Sequence, residues 1–114
     1  MTTTDSMEFH DLLTGFVRIH ILHHAAEGEV YGQWLIEELA RHGYRLSPGT
    51  LYPLLDGLEK RGYLIWRRER AGRAIRRLYS ATPLGREALL VARTQARELF
   101  KELLKDPDEA RRSA

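Results

Sequence analysis

The chain contains no cysteine. Disulfides and thiolate metal centres are therefore excluded, and a reducing, cytoplasmic location is expected. No apolar run approaches the roughly 18 residues that a membrane span requires. The opening segment MTTTDSMEFHD has neither the basic start nor the apolar centre of a secretory signal. A glycine-rich phosphate loop is missing, and so is any Ser-His-Asp grouping that the predicted elements would assemble. No enzymatic activity and no cofactor are expected. Net charge is also scarce, at +2 over 114 residues, which is one domain's length.

The charge is unevenly spread. Between Tyr63 and Thr82 stand Arg67, Arg68, Arg70, Arg73, Arg76 and Arg77 against a single acid, Glu69, so the rest of the chain is net negative. Positive charge gathered on one short segment of a near-neutral protein points to a polyanion partner. A solvated arginine-rich loop would show the same composition.

Apolar spacing predicts a helix from Phe9 to about Ala26, with an apolar arc wide enough to be buried on more than one side. Gly28 ends it. A second helix is predicted from about Tyr31 to His42, with Leu35 and Leu39 inward and Gly43 as its stop. Ser47 is placed to cap a third helix, with Pro48 at its first position and Leu51, Leu54, Leu55 and Leu58 as its apolar stripe. That helix runs to about Arg61 and stops at Gly62. The period then changes to two. YLIWRRE and IRRLYSA read as strands joined by a turn at Gly72, and such a hairpin must rest on the helices. Thr82 and Pro83 open a last helix to about Lys105.

This order is a mainly α (α+β) winged helix-turn-helix with a two-stranded wing. The expected division is a disordered N-terminus 1–8, a DNA-binding domain 9–82, a C-terminal dimerisation helix 83–105 and a disordered tail 106–114. In such a fold the second helix of the pair offers its first turn to base edges in the major groove. Ser47, Gly49, Thr50 and Tyr52 fit that role, and Tyr31, at the opening of the preceding helix, is grouped with them. Arg67, Arg70, Arg73, Arg76 and Arg77 of the wing are the expected phosphate contacts. Pro53 removes the bond to the carbonyl of Gly49, which predicts a stiff, slightly separate tip at SPGTLY.

YGQWLIEEL, SPGTLYPLLDGLEKRGYL and RRLYSATPLGREAL, at 31–39, 47–64 and 76–89, resemble the PadR family of transcriptional regulators. The likeness extends over roughly residues 9 to 105. It implies a winged-helix DNA-binding domain, a homodimer built by the C-terminal helix, repression of a nearby operon, and release of DNA when a small molecule binds near the dimer interface. The chain resembles the short subfamily with one C-terminal helix. It departs from the family in having Ala81 where a branched aliphatic residue is usual and Trp34 where a polar one is usual. Its last helix offers Phe100, whereas members that bind flat aromatic drugs present a tryptophan there.

Leu89, Ala92, Ala96, Leu99 and Leu103 recur at alternating three- and four-residue steps, a coiled-coil seam widened by Phe100. The expected use is a two-fold dimer on near-palindromic double-stranded DNA. Packing onto the chain's own first helix is the alternative. Phe9, Phe16, Phe100 and the histidines are expected to line an effector space. His20 and His24 lie four apart with Glu27 a turn further. This spacing could suit a metal ion, though no metal is expected. The rival functions are a winged-helix protein-interaction module without DNA binding and a metal-responsive regulator using the His20/His24 pair.

Overall fold

A computed structural model describes residues 10–105 and Asp108. Phe9 and the expected polar segments 1–8 and 106–114, Asp108 apart, lie outside the described residues. The elements follow in the order α1 (His10–Glu27), α2 (Gly32–Arg41), α3 (Pro48–Lys60), β1 (Leu64–Ala71), β2 (Ala74–Ala81) and α4 (Pro83–Leu103). No helix among the described residues is long and apolar enough to cross a membrane.

Helices α2 and α3 end alike. In each, a glycine follows the C-cap with positive φ, +92° at Gly43 and +83° at Gly62. The next amide reaches back into the last turn, Tyr44 N–H to the Leu39 carbonyl at 2.9 Å and Tyr63 N–H to the Leu58 carbonyl at 3.0 Å. This closure satisfies carbonyls that the last turn would otherwise leave open.

Ser47 holds the extended N-cap conformation with Pro48 at the first helical position, yet its side chain makes no capping bond. Its hydroxyl instead donates to Thr50 Oγ1 at 3.4 Å. Helix α3 also stays uninterrupted through Pro53. The expected separate tip is therefore the first turn of one continuous helix. Pro53 forfeits a single bond, to a carbonyl in the first turn.

The core gathers around α3. Leu51 and Leu55 are fully buried, as are Ile21 of α1 and Leu35 and Leu39 of α2. The buried face of α1 is Val17, Ile21, Leu22 and Ala25, while its second apolar side, with Leu12 and Phe16, is exposed. The strands pair antiparallel, Leu64 opposite Ala81 and Ala71 opposite Ala74, around a two-residue turn with Gly72 at φ +64°. A third segment secures the sheet. Val30, just after α1, exchanges both backbone bonds with Tyr79 of β2, at 2.9 and 2.7 Å.

Thr82 caps α4 as expected, its hydroxyl oxygen accepting from Gly85 N–H at 2.9 Å. The same hydroxyl donates to the Gly62 carbonyl. The start of α4 is thus fastened to the end of α3. Gly85 is buried against the Tyr63 carbonyl and Leu22, where a Cβ would overlap the backbone.

Candidate nucleic-acid interface

The start of α2, the outer side of α3 from its second turn and the wing line one open groove. Its walls are Tyr31, Gly32 and Gln33 from the start of α2, Tyr52 and Asp56 from α3, and Ala71, Ala74, Ile75, Arg76 and Arg77 from the wing, around a volume of about 580 Å³. Leu51, Leu54, Leu55 and Leu58 anchor α3 from behind. That leaves Ser47, Pro48 and Gly49 exposed and Thr50 half-buried. A Cβ at Gly49 would meet nothing nearer than Ser47 Oγ at 3.7 Å, so the chain's own packing does not require glycine there.

Tyr52 is 42% exposed, but its hydroxyl end is packed on α2. The phenol lies over Gly32, where a Cβ would overlap it. One ring therefore spans the two helices, with only part of its edge facing outward. Sequence reasoning placed Tyr52 in the site and missed Gly32. The signal was present in the YG pair, but nothing local says that residue 52 is what covers it.

The wing arginines divide into two groups. Arg67 is held by Glu29, which receives Nε at 2.6 Å and Nη2 at 2.8 Å. That hydrogen bond lowers the Glu29 carboxyl from its ordinary range and raises the guanidinium. Arg67 is thereby tied to the segment joining α1 and α2. Arg76 donates to Glu69 at 3.1 Å and lies 3.9 Å over the Tyr31 ring. Arg77 stacks 4.1 Å over Trp66 and stands 3.7 Å from Asp56. Arg70 and Arg73, at the tip of the wing, form no ion pair among the described residues, and both are exposed. Arg68 and Arg77 face each other directly across the strands, a like-charge pair that an anion would relieve.

The apolar seam of α4 is split. Leu89 belongs to the core of its own chain, packed with α1, as the alternative reading of the seam had it. Ala92 is half-buried. Leu99, Phe100 and Leu103 stand 43%, 61% and 63% exposed. With Ala96, Leu13, Phe16, Ile19 and the rings of His20 and Tyr44 they bound an apolar cavity of about 620 Å³ between α1 and α4.

The expected set of His20, His24 and Glu27 does not gather; Glu27 gathers with His23 and His24 instead. Glu27 lies 3.5 Å from His23 and 3.9 Å from His24 Nδ1. The other nitrogen of His24 faces α2 instead, 3.7 Å from Glu38. His20 lies with its ring centroid 5.1 Å from that of His42. The cause is the crossing of α1 over α2, which a reading of α1 alone cannot supply.

Residues 21–90 match the model of the transcriptional regulator PadR-like family. The chain is 54% identical over 88 residues to transcriptional regulator Rv3488 of Mycobacterium tuberculosis, covering 77% of this chain and 82% of that one. Among solved structures it is similar to a PadR family transcriptional regulator from Eggerthella lenta, at TM-score 0.74 and 30% identity, over 86% of this chain and 87% of that one. A Streptococcus transcriptional regulator is similar at TM-score 0.72 and 28% identity, over 81% and 92%. Family members are transcriptional regulators, not enzymes. On these matches, and on the winged helix-turn-helix that carries them, the chain belongs to the PadR-like family of transcriptional regulators.

Proposed function

We propose that the chain is a sequence-specific, homodimeric DNA-binding repressor that a small-molecule effector releases from its operator. The observation that carries DNA binding is the groove between α3 and the wing. Tyr52 lines it on one side, and the helix start just before Tyr52 offers half-buried Thr50 and an uncrowded Gly49. On the other is a wing tip where Arg70 and Arg73 have no ion partner among the described residues. A helix entering the major groove presents such a first turn to the bases, and a flanking basic hairpin meets phosphates.

The open lower half of the α4 seam supports a dimer through α4 and α1. A two-fold pair would set the two α3 tips on successive major grooves about 34 Å apart, giving a near-palindromic operator. The cavity between α1 and α4 is the place for an effector. A ligand that favours a rotated pair would lower DNA affinity without touching the DNA face.

The test is to sequence the fragments that the purified protein retains from its own genomic DNA, then to measure binding to the best of them. Thr50→Ala is expected to reduce discrimination between that site and unrelated DNA by about 1–3 kcal/mol, the usual worth of one base contact. Retention of fragments with no shared sequence would reject the reading.

A further inference from the structure

Helices α1 and α2 cross so that two pairs of metal-binding side chains, each four residues apart, face one another. His20 and His24 come from α1; Glu38 of α2 is paired with His42 at that helix's C-cap. Glu38 divides its carboxylate. Oε1 receives Arg41 at 3.3 Å, while Oε2 points between His42 Nε2 at 3.2 Å and His24 Nε2 at 3.7 Å. The ligand atoms of His24, Glu38 and His42 all lie within 4.8 Å of one another. Ligands on a tetrahedral zinc ion at ordinary bond lengths stand about 3.4 Å apart, so the two measured edges bracket the required value. Two imidazoles on such an ion have ring centroids about 5 Å apart, and those of His20 and His42 stand at 5.1 Å.

A hydrogen-bond network alone leaves this arrangement unfinished. His42 and Glu38 satisfy each other, but His24 Nε2 is buried and has no hydrogen-bond partner. Its distance to Glu38 is too long for one. Burial, then the neighbouring His42 for His20 and His23 for His24, lowers the affinity of both rings for protons. Neutral imidazole is the form that binds a metal. Two imidazoles with one carboxylate suit the borderline ions zinc, cobalt and nickel better than calcium or magnesium.

We propose that His24, Glu38 and His42 form a divalent transition-metal site between α1 and α2, with His20 flanking its fourth position. The site does not depend on the DNA-binding reading, and its test uses no DNA.

The experiment takes the untagged full chain, stripped with a chelator, and titrates it with cobalt(II) and then zinc(II). One cobalt per chain is expected, with the strong visible absorption of a four-coordinate ion, displaced by zinc. Trp34, whose ring meets His24 edge-on at 5.3 Å, should lose fluorescence as cobalt binds, and Trp34→Phe should remove that signal. The His42 side chain is exposed, so His42→Ala should keep the fold, as checked by circular dichroism, while weakening the site about 100-fold or more. Glu38→Gln should act in the same direction, and His23→Ala should change affinity by less than about twofold. Absence of stoichiometric binding would overturn the proposal. So would binding that survives His42→Ala but is lost in His23→Ala, which would move the ion to His23, His24 and Glu27.

Discussion

The hydroxyl end of Tyr52 occupies the space that a side chain at residue 32 would need. Residue 32 is the first of α2, and residue 52 lies in the second turn of α3. The contact therefore sets how closely the two helices of the pair approach at their N-terminal ends. Gly32→Ala should cost about 1–3 kcal/mol, the usual range for overpacking. Much of that loss should disappear when Tyr52→Ala is added, a coupling that a double-mutant cycle of thermal or urea melts would measure. Equal losses in both backgrounds would mean that the phenol moves aside freely.

Gly49 and Gly85 should respond in opposite ways. Alanine at 85 drives a methyl group into the Tyr63 carbonyl, and backbone cannot swing away as a side chain can. A loss of about 3 kcal/mol is expected, at the top of the overpacking range. Alanine at 49 meets open space, and helix propensity favours it by up to about 1 kcal/mol. Gly49→Ala should therefore melt no lower than the parent. On the DNA-binding reading it should nevertheless bind its operator more weakly, because the methyl group stands on the turn that faces the base edges. Unchanged DNA affinity would take the first turn of α3 out of the interface.

Wing arginines should separate by their partners. Arg70→Ala with Arg73→Ala should flatten the dependence of log K on log salt by about 1.8, or ~0.9 for each phosphate left unneutralised. Arg67→Ala should leave that slope nearly as it is, since Glu29 already holds the guanidinium. Titrations of duplex binding across a range of salt would decide. A slope that responds to Arg67 and ignores the tip would reverse the assignment.

Assembly should depend on the lower half of α4. Leu99→Asp with Leu103→Asp alters exposed positions, so the monomer fold should survive while sedimentation shows monomers with greatly weakened operator binding. Leu89→Ala, in contrast, opens a hole in the chain's own core and should cost about 2–5 kcal/mol of stability. If the double aspartate variant still sediments as a dimer, α4 is not the interface.

The sequence by itself determined the elements and their ends. Helical period, the Ser47-Pro48 and Thr82-Pro83 starts, the stops at Gly43 and Gly62 and the turn at Gly72 are all set by neighbours within a few residues, so local physics suffices to read them. The family resemblance was legible for the same reason, since its motifs are continuous. Tertiary structure decided which of the expected site residues are available. Arg67 is tied down by an acid 38 positions away, and Val30 joins the sheet far from it in sequence. Leu89 turns into its own core, and His24 faces Glu38 and His42 across a helix crossing. Even Ser47, placed correctly at the N-cap, spends its hydroxyl on Thr50. Most of these outcomes depend on where a distant element comes to rest. Packing the whole core around Leu51 and Leu55 settles that placement, and no short window of sequence contains it.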